Sequence, residues 1–333
     1  MARPVGGVLR DGEVVVEDGA EAERLEGRGG FGERVGKVLR LTVAEAAWCV
    51  EQGWLAVTSA GRPVALGDLL AAGKDGRTEV DILAYRDLRE RGLLVRPGTG
   101  AGAFDVWPRG GSLKDRPAYA VHAAAERSAL DMAALAAWAE SKEVVALVDE
   151  DGEVTHYRAS VAAPTGGSPP GDLPRSAGTL LQDRVLVADG KAAEAFHDGE
   201  GLGTRHGTGL LLSLLEAEVL RRRGVLEVPP GLGRRAEEQQ AGFRTLLAAY
   251  ESLRAAGVVV KSGLKFGTHL RGYSGHPDKG HAEWLVHATD GAGLHWSDVG
   301  RGVRLAHGVR KAFLLAWVRP GGVRFVEVAW FKA

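Results

Sequence analysis

The chain has 333 residues, 45% of them hydrophobic and 26% charged, with a formal net charge of -1, so extended disorder and a generally basic nucleic-acid coat are excluded. That length exceeds the usual single domain, and two or more packed units are expected. No run approaches the ~18 apolar residues of a transmembrane helix, and the N-terminus lacks the apolar stretch of a secretory signal. The single cysteine, Cys49, can make neither an intrachain disulfide nor a Cys-rich zinc site, so a cytoplasmic protein is expected.

In chain order, Val14-Val15-Val16-Glu17-Asp18-Gly19 reads as a strand ending in a turn. Gly30-Phe31-Gly32 follows as a Gly-rich turn, then an amphipathic helix around Glu45-Ala46 that Gly53 closes. Tyr85 to Arg89 lies in a second helix, which ends before Gly92, where a left-handed residue is cheapest, and leads into the strand Leu93-Leu94-Val95. Ala118 to Ala123 alternates as a strand does, and Asp149-Glu150-Asp151-Gly152-Glu153 forms an acidic tip between two further strands. The stretch Ala162 to Asp172 is rich in Pro, Gly and Ser and reads as a linker.

Beyond that linker the pattern returns. Val185-Leu186-Val187-Ala188-Asp189-Gly190, Gly201-Leu202-Gly203, Glu216-Ala217 and Gly224 repeat the first module at a constant spacing. Tyr250 to Arg254, Gly257 and Val258-Val259-Val260 repeat the second helix and its strand, and Glu283 to Ala288 matches Ala118 to Ala123. Ala312 to Trp317 and Val323 to Val328, joined at Pro320-Gly321-Gly322, predict a C-terminal hairpin.

The expected architecture is therefore α/β (α+β) in two tandem repeats. Residues 1-80 and 181-240 are small N-terminal α/β modules, 81-161 and 241-333 are mixed-sheet modules, and 162-180 is the linker. The charge is uneven across them: Ser252 to Ala333 holds twelve Lys and Arg against five Asp and Glu, whereas Asp81 to Ser160 holds ten against thirteen. The basic face belongs to the last module, the kind of local asymmetry that phosphate binding requires.

Four stretches of that module carry a resemblance: Lys261 to Gly267, Tyr273, His281 to Val286, and Arg304 to Lys311. In this order they resemble the catalytic domain of archaeal tRNA-splicing endonucleases, and the repeated Gly-x-Gly followed by Glu-Ala resembles that family's N-terminal domain. The resemblance spans nearly the whole chain outside the linker, and it implies a restriction-endonuclease-like fold for the mixed-sheet modules. Residue by residue it places the family's Tyr, His and Lys at Tyr273, His281 and Lys311.

Internal transesterification of RNA needs a base for the 2′-hydroxyl, an acid for the departing 5′-oxygen and a cation for the charge-rich phosphorus. By resemblance these are Tyr273, His281 and Lys311, giving a 2′,3′-cyclic phosphate and a 5′-hydroxyl without metal or other cofactor. A phenol is a weak base near neutrality and needs positive charge nearby. Taken singly, the three also read as a strand-end tyrosine, one histidine among several, and a solvated helix-end lysine. The motif order favours the functional set.

The first copy aligns Trp107 with Tyr273, Arg116 with His281 and Lys142 with Lys311. Without a titratable acid or base it is expected to be inactive. The resemblance further implies a homodimer imitating a tetramer, with the acidic tip Asp149, Glu150 and Asp151 docked on the partner. It implies precursor tRNA as substrate, recognised by shape as two bulges flanking a short helix. Arg304 matches an arginine that stacks on a bulged base, and Lys332 falls near the second member of that clamp. Lys265, Arg271, Lys279, Arg301 and Arg310 are expected phosphate contacts. Two other classes compete: a non-catalytic RNA-binding scaffold subunit, and a metal-dependent DNA nuclease. The latter wants clustered carboxylates, whereas Asp278, Glu283, Asp290 and Asp298 are scattered.

Overall fold

The computed structural model describes residues 3-71, 78-98 and 103-333. The repeated Gly-x-Gly and Glu-Ala signals belong to one device. Helix Val43–Glu51 opens at Thr42, whose hydroxyl accepts the Glu45 N–H while the Glu45 carboxylate accepts the Thr42 N–H. Helix Leu214–Arg222 opens in the same way at Ser213 with Glu216. Each carboxylate then reaches back to the second glycine of its turn, accepting from Gly32 N or Gly203 N at 2.9 Å.

Those two glycines sit at φ +70° and +60°. A Cβ on Gly32 would lie 2.7 Å from the Arg40 carbonyl oxygen, and one on Gly203 2.6 Å from Leu210 Cγ. Glycine is required there both for the left-handed backbone and for the close approach.

Around these locks the first module builds a six-stranded sheet in the order Glu33–Val35, Val38–Thr42, Glu13–Val16, Val5–Arg10, Leu55–Ser59, Arg62–Pro63. The second builds a four-stranded sheet and a separate parallel pair, Ser176–Ala177 with Leu226–Glu227. Residues 162-180, expected to be linker, are laid against the second copy. Gly166 N and Ser168 N donate to the carbonyls of Ala256 and Gly257, Gly167 N donates to that of Ser274, and Ser176–Ala177 and Thr179–Leu180 are themselves strands. Composition showed only that this stretch lacks apolar anchors. Its backbone supplies the anchoring instead.

The two mixed-sheet modules form one continuous ten-stranded sheet. Its order is Val259–Ser262, Leu270–Tyr273, Trp284–Thr289, Ala312–Arg319, Gly322–Trp330, Val154–Ala162, Val144–Val148, Tyr119–Ala125, Ala103–Trp107, Leu94–Pro97. Read from either end, the pairing is antiparallel twice, parallel once and antiparallel again, so the halves are related by a pseudo-twofold at the centre. The central pair, Val154–Ala162 with Gly322–Trp330, is antiparallel and runs from Tyr157↔Trp330 to Ala162↔Phe325.

Helices Met132–Ser141 and Trp296–Gly308 share one core on this sheet, in which Leu135, Leu147, Tyr157, Val299, Val303 and Leu315 are buried together. Ahead of these helices, Leu130 N donates to the Leu294 carbonyl at 2.8 Å and Trp296 N to that of Ser128 at 3.2 Å. The C-terminus crosses to the other copy: Phe331 N donates to the His156 carbonyl, and the Phe331 ring meets Tyr119 edge-on at 5.1 Å. No helix among the described residues is long and apolar enough to cross a membrane.

Candidate active site

Tyr273 ends strand Leu270–Tyr273, paired with Val259 at the outer edge of the sheet. It is buried, and it packs with Val259 and Ala282 in a small apolar cluster. His281 is exposed and immediately precedes Ala282, at the end of the loop leading from Tyr273 to strand Trp284–Thr289. Lys311 follows helix Trp296–Gly308, and its Nζ donates to the Ala282 carbonyl at 2.6 Å. Tyr273, His281 and Lys311 thus belong to three segments that adjoin Ala282: Tyr273 packs against it, His281 precedes it in the chain, and Lys311 binds its carbonyl. The loop between them is braced by Glu283, whose carboxylate accepts Ser274 N at 2.9 Å and Ser274 Oγ at 2.6 Å.

The register explains how Lys311 arrives there. Arg310 takes the left-handed conformation at φ +55°, with Arg310 N donating to the His307 carbonyl and Lys311 N to that of Ala306. The ladder then resumes as Ala312 N donates to the Glu283 carbonyl at 2.9 Å. On the outer side the Lys311 ammonium lies 5.7 Å from the Phe266 ring, and Lys265 Nζ lies 5.9 Å from the same ring.

The first copy repeats the frame without the groups. Leu94 pairs with Trp107 as Val259 pairs with Tyr273, and Trp107 is as buried as Tyr273, with its indole N–H donating to the Asp115 carbonyl at 2.9 Å. Arg116 is exposed. Lys142 ends its helix as Arg310 ends the other, at the same φ of +55°, with Lys142 N donating to the Ala139 carbonyl and Glu143 N to that of Trp138. The helix is shorter in this copy. Glu143 binds His122 Nε2, and the His122 ring stacks on Trp138.

The expected RNA contacts fall into separate groups. Lys265, Arg310 and Lys311 share one edge through Phe266 and the helix end. Arg271 is half-buried beside Tyr273, its guanidinium 5.6 Å from that ring. Arg301 and Arg304 are exposed on helix Trp296–Gly308 and line a cavity with Tyr157, Asp149 and Leu305. Burial raises the Tyr157 phenol pKa, and the Arg304 guanidinium pulls it back. Lys279 is exposed in the loop before His281. Lys332 lies apart from these, in the tail that packs on the first copy.

The acidic tip is partly engaged within its own chain. Asp149 Oδ1 accepts Asp151 N and Glu153 N, closing the turn, and Glu150 pairs with Arg127, while Asp151 is exposed. A cavity of about 820 Å³ lies between the second N-terminal module and the outer strands, lined by Lys261, Glu216, His269 and Arg271. It borders the Tyr273 strand, but Tyr273, His281 and Lys311 do not line it. Two residues beside Tyr273 and Lys311 lie in the resembling stretches but are given no role by the sequence. Glu283 acts through a loop serine nine positions away, and Phe266 faces Lys311 only across strands.

Two fused copies of one α/β plan, the second carrying Tyr273 where the first carries Trp107, make a tandem-repeat α/β protein. Comparison with known proteins gives the family. Residues 243-325 match the tRNA intron endonuclease catalytic C-terminal domain, and residues 5-70 and 176-239 each match the N-terminal domain of the same family. The chain is similar to a tRNA-splicing endonuclease of Natronomonas pharaonis, 37% identical over 97% of this chain and 98% of that protein. It is also similar to those of Methanosarcina acetivorans, 31% identical over 97% and 98%, and Halobacterium salinarum, 34% identical over 92% and 93%. The chain belongs to the tRNA-splicing endonuclease family and is an enzyme of that class.

Proposed function

We propose that the chain cleaves precursor tRNA at intron boundaries presented as a bulge-helix-bulge, without a metal ion. Tyr273 takes the 2′-hydroxyl proton, His281 protonates the 5′-oxygen, and the Lys311 ammonium stabilises the phosphorane. The observation that carries this reading is the convergence on Ala282: Tyr273 packs against it, His281 precedes it, and Lys311 binds its carbonyl. An exposed His281, a buried Tyr273 and a Lys311 ammonium fixed on the Ala282 carbonyl suit a scissile phosphate drawn in from solvent. Lys265, Arg271, Lys279, Arg301 and Arg310 hold phosphates, Arg304 stacks on a bulged base, and Lys332 is a further RNA contact.

Incubated with an intron-containing precursor tRNA in excess chelator, the chain is expected to cut at both boundaries, leaving 2′,3′-cyclic phosphate and 5′-hydroxyl ends. His281→Ala is expected to slow cleavage by about 10²–10⁴-fold. Loss of cleavage in chelator would favour metal-dependent chemistry, and RNA binding without cleavage would favour the scaffold reading.

The working form is a cytoplasmic homodimer, in which the mixed-sheet modules of the two first copies space those of the two second copies. Asp151, Glu150 and Asp149 present the acidic tip to the partner. Reversing all three charges to lysine is expected to give monomers in sedimentation analysis. A variant that stays dimeric and cleaves normally removes the tip from the interface.

A further inference from the structure

A cluster outside the proposed triad has the geometry of a metal site. His197, His276 and Asp278 each offer a ligand atom, and these atoms lie within 4.8 Å of one another. His197 Nε2 is 3.8 Å from Asp278 Oδ2, and His276 Nδ1 is 4.0 Å from the same oxygen. Ligands bound to one tetrahedral ion at about 2.0–2.1 Å stand roughly 3.3 Å apart, so the cluster needs only a small contraction to close on an ion.

The other ring nitrogens are already committed. His197 Nδ1 bonds the Asp198 carboxylate at 3.0 Å, and Asp198 is itself held by Arg205 at 2.6 Å. His276 Nε2 donates to the His197 carbonyl at 2.9 Å. A carboxylate or carbonyl on the far nitrogen fixes the tautomer and leaves the near nitrogen with a free lone pair, the outer-shell pattern of metal-bound histidine. The contact on His276 Nδ1 is a long approach of Asp278 N at 3.3 Å, which a bound ion would displace.

The cluster also joins two parts of the chain. His197 lies in the π-helical turn Ala195–Gly199 of the second N-terminal module. His276 and Asp278 lie in the loop between Tyr273 and His281. The two segments touch at Gly201, where an added Cβ would be 2.9 Å from Pro277 Cδ. The first copy has Glu26 where the duplication puts His197, so the cluster belongs to the second copy alone.

We infer that His197, His276 and Asp278 bind one imidazole-preferring divalent cation of the zinc class, completed by water, which anchors the His281 loop to the N-terminal module. Two imidazoles and one carboxylate suit zinc, nickel or copper better than magnesium or calcium. The ion is an anchor and takes no part in bond cleavage. The site itself does not depend on the proposed chemistry, whereas its influence on His281 rests on that reading.

The test is zinc titration by calorimetry on the intact chain at neutral pH. One zinc per chain is expected, with Asp278→Asn weakening it at least 10-fold, His276→Ala more, and Asp198→Asn about 10-fold through His197. Asp278 and Asp198 are half or more exposed, so those variants keep the fold. Hydrogen exchange across residues 274-281 is expected to slow when zinc binds. No stoichiometric binding, or equal binding by the His276→Ala/Asp278→Asn double variant, overturns the site. Binding that leaves exchange in 274-281 unchanged overturns the anchoring role. Neither readout involves RNA, so both stand apart from the cleavage assay.

Discussion

Glu216→Ala is expected to destabilise the second copy by about 3–5 kcal/mol, whereas Glu45→Ala in the first costs about 1–3 kcal/mol. Both carboxylates lock a Gly-x-Gly turn to a helix start, accepting a glycine N–H, a cap N–H and a cap hydroxyl. Glu216 alone also binds a half-buried ammonium, Lys261 Nζ at 3.0 Å, which donates in addition to the Gly203 carbonyl at 2.8 Å. In the first copy the corresponding position is Arg96, which bonds the Gly30 carbonyl instead. Removing Glu216 therefore leaves a half-buried cation without its counter-charge, and removing Glu45 leaves only neutral donors. Burial opposes ionisation of Glu216, but Lys261 and the N–H groups of Ser213 and Gly203 overcome it and hold its pKa below the usual 4.5.

The sign of the pH effect follows. With the folded value below the unfolded one, this stabilisation is fully present above about pH 4.5 and disappears as pH falls through the lower, folded value. Urea midpoints for both variants at pH 7 are the measurement. Equal shifts would mean that the Lys261 pair contributes nothing beyond its hydrogen bonds.

Lys311→Ala is expected to lower single-turnover cleavage by about 10²–10³-fold while leaving the affinity for precursor tRNA nearly unchanged. Affinity is spread over many basic contacts, whereas transition-state charge is concentrated at the scissile phosphate. The strand ladder around Ala282, with Glu283 N on the Gly272 carbonyl and Ala312 N on that of Glu283, does not depend on the ammonium, so the fold should persist. Lys311→Arg should recover little, because a planar guanidinium cannot replace a point charge held at 2.6 Å from one carbonyl. Lys142→Ala, in the first copy, should leave the rate untouched. A Lys311→Ala variant cleaving at the parent rate would end the assignment of the triad.

Much of this architecture can be read from the residues because the locks are local. Gly32 with Glu45 and Gly203 with Glu216 lie thirteen positions apart, and the capping box leaves its mark within four. The terminal hairpin is likewise local, with Pro320-Gly321 turning between Ala312–Arg319 and Gly322–Trp330. The fusion of the two mixed-sheet modules is not legible. The pairing of Arg158 with Ala329 joins strands from opposite halves of the chain, and both strands alternate like any others. Helix length differs between the copies, so the helix end and the strand register align Lys142 differently with the second copy. His197 gave no signal because its partners, His276 and Asp278, are brought to it by tertiary packing.

The continuous sheet leaves two rims, Leu94–Pro97 and Val259–Ser262, each four residues long. Each rim is tied to its own N-terminal module, Arg96 by the Gly30 carbonyl and Lys261 by Glu216 and Gly203. Short margins bearing inward-turned cations and a proline resist recruitment of another strand. Growth of the ten-stranded sheet by strand addition is therefore disfavoured at both of its margins.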